Sequence, residues 1–188
     1  MKELRRHIEE IIQLTESEFE LIATYFTERK FKRGDYVVRQ GIKVDHTFFV
    51  VEGMMKLIFD DESGKEHILS FAMENWWETD YLAFHKRTQA TMSLKCLEDT
   101  TVICLSFEDY HNLCAAVSKM EHFFLNKATS GHLASQQRIL SLLASTAQER
   151  YFKLIHNYPS LTKRVSKSQL ASYLGLSRET LSRLYKGK

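Results

Sequence analysis

The stretch from Phe31 to Phe107 restricts the possible folds more than any other part of the chain. Short runs rich in Val, Phe, Ile and Thr (Tyr36 to Arg39, Thr47 to Glu52, Met54 to Asp60, His67 to Ala72, Gln89 to Cys96 and Thr101 to Phe107) are divided by Gly34-Asp35, Gly41, Gly53 and the segment Asp60 to Gly64. Breaks of this kind are hairpin connections, and β-branched and aromatic residues suit the pleated surface between them. No helical pattern intervenes to return a parallel crossover, so six to eight strands must pair antiparallel. A jelly roll or sandwich follows.

Helical periodicity flanks this region. Leu4, Ile8, Ile11 and Ile12, then Phe19, Ile22, Ala23 and Phe26, recur at three- and four-residue steps, which predicts helix across residues 1–30. Thr15 and Glu18 have the spacing of a capping box at the start of its second piece. After Phe107 the pattern gives a short helix from Glu108 to Val117 and a long one within residues 119–145. A helix of some 25 residues reaches roughly 38 Å, more than a small roll needs for its own cover. Ala128, Ser130, Gly131, Ala134 and Ser135 lie along its middle and permit close approach of a second copy, the alternative being packing within the chain. Ala147 to Asn157 reads as one more helix, stopped by Pro159.

The formal charge of +2 is unevenly placed: residues 160–188 carry seven Lys and Arg against Glu179 alone, a net +6, which leaves −4 on the rest. A basic module on an acidic body is the footprint of a nucleic-acid binder, because cationic side chains displace counterions condensed on phosphates. The pattern inside that module is specific. Leu170, Leu174, Leu176, Leu181 and Leu184 form the inward face of two short helices, Ala171 lets them approach, and Gly175 supplies the turn. Ser166 with Gln169 caps the first helix and Ser177 caps the second. The second helix then presents Arg178, Glu179, Ser182 and Arg183 outward as base-reading groups: Arg forks onto guanine O6 and N7, and Glu accepts from cytosine N4. Lys167, Ser168, Gln169, Ser177, Thr180 and Lys186 are the candidate phosphate contacts.

Other classes are excluded step by step. The strongly apolar stretch Thr47 to Phe59 is interrupted by Glu52 and Lys56, so nothing approaches the ~18–20 apolar residues of a membrane span. The N-terminus mixes both charge signs without a signal-peptide core, and a cytoplasmic location is expected. Cys96, Cys104 and Cys114 sit among apolar residues at no zinc or redox spacing, so they read as buried thiols. A cupin-type metal site would draw on His46, His67, His85 and Glu66, but no His-x-His pair exists. No enzymatic constellation is read.

The order of parts, with Lys32-Arg-Gly-Asp-Tyr-Val-Val-Arg-Gln-Gly41, Val51-Glu-Gly53 and Leu174-Gly-Leu-Ser-Arg-Glu-Thr-Leu-Ser-Arg183, resembles the CRP/FNR family of bacterial transcription regulators over nearly the whole chain. The resemblance implies an α+β protein: a double-stranded β-helix (jelly-roll) of the cyclic-nucleotide-binding type in residues 1–118, a dimerisation helix in 119–145 and a helix-turn-helix in 146–188. It also implies a homodimer on a two-fold symmetric DNA operator, RNA polymerase as a partner, and control by an effector in the roll. A cyclic-nucleotide sensor acting through protein contacts is the alternative.

Two departures from the family pattern carry expectations. The family's cyclic-nucleotide pocket has a Glu for the ribose and an Arg for the phosphate; here Thr79 or Asp80 stands in the Glu place and Gln89, before Ala90 and Thr91, in the Arg place. A neutral amide cannot neutralise a phosphate, so cyclic AMP is disfavoured, and Trp76, Trp77 and Tyr81 line a pocket for another small molecule or fill the roll. No cofactor is assigned. The sequence ends at Lys188, directly after the reading helix, where longer members add a β-hairpin wing, so a short form without a wing is expected. The family's oxygen-sensing branch places a cysteine cluster near the N-terminus; the first cysteine here is Cys96, so no iron–sulfur cluster is expected.

Overall fold

The computed structural model describes the backbone of residues 1–186 and the side chains of residues 1–184. Helices α1 (Lys2–Glu9) and α2 (Glu16–Ala23) lead into strands β1 (Phe26–Phe31), β2 (Tyr36–Val38), β3 (His46–Glu52), β4 (Met55–Asp60), β5 (Glu66–Ala72) and β6 (Trp77–Glu78). Helix α3 (Tyr81–Lys86), β7 (Ser93–Cys96) and β8 (Thr100–Ser106) complete the roll, and α4 (Phe107–Ala116), α5 (Lys119–Ala144), α6 (Ala147–Asn157), α7 (Leu161–Arg164), α8 (Lys167–Leu174) and α9 (Arg178–Lys186) follow. The strands form two four-stranded antiparallel sheets, ordered β1-β8-β3-β6 and β2-β7-β4-β5, as the hairpin spacing requires.

Three apolar clusters explain why β3, β4 and β8 are almost continuously hydrophobic: these central strands are covered on both faces. Between the sheets lie Phe48, Val50, Met55, Leu57, Leu94, Val102 and Cys104 with Phe84 of α3. Alternate residues of β3 and β8, namely Phe49, Ile103 and Leu105, point the other way and meet Leu4, Ile8, Ile22, Leu113, Met120 and Phe123 of the helices. The outer face of the second sheet, through Met54, Ile58, Ile68 and Phe71, is covered by Tyr151, Leu154, Leu161, Leu170 and Leu181 of the C-terminal helices.

One expectation fails locally. Residues 26–30, read as the end of a helix, are strand β1, paired along its whole length with β8 from Phe26–Leu105 to Phe31–Thr100. The helical spacing ends at Ala23; beyond it, pairing with the edge of β8 outweighs a weak local preference. The short elements β6, α3 and α7 also escaped the sequence reading. The expected capping box is present, with Thr15 Oγ1 accepting from Glu18 N (3.2 Å) and Thr15 N donating to Glu18 Oε2 (2.8 Å). Among the described residues no helix is long and apolar enough to cross a membrane. Cys96 and Cys104 are buried free thiols, pushed up to about 11 by burial, so neither offers a reactive thiolate.

Glu78 supplies a pH dependence. Its carboxyl, enclosed between the sheets and accepting from Ser70 Oγ (2.5 Å) and Thr79 N (3.1 Å), is raised by burial from 4.5 to about 7. Between those two values the folded protein holds a proton that the unfolded chain has lost, so stability falls as pH rises. Glu78→Gln is therefore expected to abolish a loss of about 3 kcal/mol that the native protein suffers between pH 4.5 and 8, measured by urea denaturation across that range. Parallel stability curves for the two proteins would contradict this.

Candidate nucleic-acid interface

The turn that sets the C-terminal pair of helices is built as the sequence requires. Ser166 and Gln169 form a reciprocal capping box at the start of α8: Ser166 N donates to Gln169 Oε1 (2.9 Å) and Gln169 N to Ser166 Oγ (3.2 Å). Helix α8 ends at Gly175 in the left-handed region (φ 65°), where its N–H meets the Ser172 carbonyl and a side chain would be strained. Ser177 then starts α9, its Oγ accepting from Thr180 N (3.1 Å). Leu170, Ala171, Leu174 and Leu181 are buried, and Leu176 and Leu184 pack against them.

With that face turned in, Arg178, Glu179 and Arg183 are exposed and Ser182 half-buried, and the four line one open concavity on α9. The Glu179 carboxyl is held below the usual carboxylate range by its own backbone N–H, by the Ser177 hydroxyl and by the neighbouring Arg178 and Arg183. The face thus offers two forked donors around an ionised acceptor, at the start of a helix capped by Ser177. Lys167 and Ser168 are exposed at the start of α8, and Thr180 is half-buried. The hydroxyl of Ser177 and the amide oxygen of Gln169 are engaged in their caps. Lys186 lies outside the described side chains.

The module is docked on the roll while its charged face stays open. Helix α8 lies across β5: Ser172 Oγ donates to the Glu66 carbonyl (3.3 Å), and the Tyr173 and Phe71 rings are 5.1 Å apart. Arg164 reaches from α7 to two carboxylates of the roll, forking onto Glu74 (2.7 and 2.9 Å) and Glu98 (3.0 and 2.6 Å). These carboxylates hold its charge well above the ordinary arginine range. One of the seven cations counted in the basic segment is therefore spent on the body of the protein, which charge counting could not foresee.

Of the residues expected around an effector, the structure brings Asp80 and Thr91 together but occupies the Asp80 carboxylate with donors of the chain itself. Asp80, fully buried, accepts from Ala83 N (3.1 Å), Thr91 N (2.7 Å), Thr91 Oγ1 (2.9 Å) and Met92 N (3.1 Å), so its carboxylate bolts α3 to the loop before β7. Thr79 Oγ1 donates to the His46 carbonyl (2.9 Å). Trp77 lies outside the roll, 5.3 Å from Phe49 and 6.0 Å from Phe124, and this corrects its expected place in a pocket: residues of β6 alternate, and Glu78 takes the inward position. Trp76 meets Tyr158 at 5.8 Å. Gln89 is exposed, Tyr81 is partly exposed beside His85, and Ala90 is buried. Among the described residues no group of three or more His, Cys, Asp or Glu could hold a metal.

Sequence and structure comparisons agree with this architecture. Residues 28–117 match the cyclic nucleotide-binding domain family. The chain is 26% identical over 168 residues to the transcriptional activator protein Anr of Pseudomonas protegens, covering 84% of this chain and 68% of that protein. It is likewise 26% identical over 188 residues to the anaerobic regulatory protein of Haemophilus influenzae, covering 91% and 70%. FixK2 from Bradyrhizobium japonicum superposes with a TM-score of 0.76 at 15% identity, covering 86% of this chain and 83% of that one, which speaks to the fold. A β-roll that matches this domain family, a long helix after it and two C-terminal helices joined at Gly175 with an open charged face make an architecture similar to that of these regulators.

Proposed function

We propose that this protein is a sequence-specific DNA-binding transcription regulator that works in the cytoplasm as a homodimer, through binding rather than catalysis. The observation that carries this reading is the concavity of Arg178, Glu179, Ser182 and Arg183 on α9, held outward by a buried leucine face. Its units are the roll (1–118), the dimerisation helix (119–145) and the helix-turn-helix (146–188). The resemblance to CRP/FNR regulators implies a dimer on DNA, and the exposed apolar residues of α5 supply a dimer face here. Two copies place two copies of α9 across a two-fold operator, with RNA polymerase the partner that reads the outcome. The roll transmits an effector signal other than cyclic AMP, since Asp80 is spent on backbone donors and Gln89 offers no charge to a phosphate.

A mobility-shift assay against selected genomic fragments tests this. Retention should weaken steeply with salt, and Arg178→Ala should cost about 1–3 kcal/mol on the preferred site while relaxing its sequence preference. Lys167→Ala should weaken all sequences alike. An operator preference unchanged in Arg178→Ala would refute the assignment of α9 as the reading helix.

A further inference from the structure

A cleft of about 160 Å³ opens between α5, α6 and the C-terminal end of α8. Arg138 enters it from α5, Arg150 and Lys153 from α6, and Tyr158 and Tyr173 flank them; among the described residues no Asp or Glu lines it. Arg138 Nη2 donates to the carbonyls of Ile68 (3.2 Å) and Tyr173 (2.8 Å), with the guanidinium 3.7 Å from the centre of the Tyr173 ring. Arg150 Nε donates to the Leu174 carbonyl (3.0 Å) and Nη1 to the Ser145 carbonyl (2.6 Å). Every one of these acceptors is neutral. The fold therefore fixes two guanidinium groups in place without neutralising them, and burial works against the charge of Arg138. A partly buried cation without a counterion is costly, and an anion in the cleft removes that cost.

We propose that this cleft binds a small molecule carrying a phosphoryl group. Three cations approaching from two helices, two of them planar forks with N–H groups to spare, suit a di- or trianion better than a single carboxylate. The volume is below the ~300 Å³ of drug-sized pockets, so the recognised part is the phosphoryl head with a few attached atoms. Its walls belong to the long helix and to the helix-turn-helix, so an occupant ties the setting of α9 to α5. That coupling rests on the proposed function; the site itself does not.

The test is calorimetric titration of inorganic pyrophosphate into the full chain without DNA, at constant ionic strength. Saturable binding of one pyrophosphate per chain is expected, weakened at least about tenfold in Lys153→Glu, a change on an exposed side chain. Arg138→Gln provides a second variant, with circular dichroism confirming that both fold. Arg178→Ala/Arg183→Ala, which empties the other cationic concavity of charge, should bind pyrophosphate as the native protein does. The proposal is overturned by an isotherm with no saturation at about 10 mM, by one unchanged in both cleft variants, or by one lost only in the α9 variant. It is also overturned if pyrophosphate fails to bind while Lys153→Glu weakens duplex DNA uniformly, since the phosphate recognised would then belong to the DNA backbone. Failure of operator binding as such would refute the proposed function and leave the pyrophosphate isotherm standing.

Discussion

For the proposed homodimer, glutamate in place of both Leu125 and Leu143 is expected to leave the protein monomeric and to lower its affinity for the proposed two-fold symmetric operator at least ~100-fold. The reason is the shape of α5. At about 100° per residue, Leu125, His132, Gln136, Ile139 and Leu143 share one stripe, with Leu133 and Leu140 along its edge. Of the side chains that tie α5 to the roll, Met120 and Phe123 point the opposite way and Phe124 to one side. Leu125 is 65% and Leu143 81% exposed in the single chain. Covering a leucine contributes ~1.5–3 kcal/mol and each position occurs twice across a two-fold axis, so the double change removes several kcal/mol and adds charges that repel. Sedimentation equilibrium at micromolar concentration reads the mass, and the mobility shift reads the operator. A dimer that persists in the double variant would place the interface elsewhere.

The second large effect is expected at Gly53, where valine should prevent folding and alanine should cost more than about 3 kcal/mol in urea denaturation. Gly53 sits at φ 96°, and a Cβ there would lie 2.5 Å from the Asp99 carbonyl oxygen and 2.8 Å from the Thr100 Cα, both main-chain atoms with no room to yield. Gly64 is the control: its φ of 77° is also positive, but nothing lies within 4 Å of an added Cβ. Alanine there should cost only the ~1–2 kcal/mol of left-handed backbone. The Gly53 turn has a further connection, since its N–H donates to Glu74 Oε1 (3.0 Å), the carboxylate that also holds Arg164. Loss of this turn is therefore expected to loosen the docking of the C-terminal helices as well. Equal destabilisation by alanine at Gly53 and Gly64 would show that backbone strain, and not the close approach, governs the site.

Sequence and structure agree best where the deciding interactions are local. The Thr15 and Ser166 capping boxes, the left-handed Gly175 and the leucine face of α8 and α9 are each set within a few residues, so spacing alone reveals them. Helix α6 runs from Ala147 to Asn157, the span its periodicity predicts, because Thr146 and Glu149 cap its start and Pro159 follows its end. The candidate reading face was legible for the same reason. Once Leu181 and Leu184 are assigned inward, Arg178, Glu179 and Arg183 have only one side left to them.

What the amino-acid order determined, then, is the set of elements and the chemistry each displays, since caps, turns and apolar stripes act between near neighbours. Tertiary packing decided what is made of them. It turned residues 26–30 from helix to strand by pairing them with β8, set Trp77 outside the roll and Glu78 inside it, and drew Arg164 out of the basic segment onto Glu74 and Glu98. It also brought Arg138 and Arg150 to one cleft from separate helices. These outcomes depend on groups up to 90 positions apart in the chain, and no periodicity encodes which distant surfaces will meet: that is settled by the shape and burial of the whole molecule.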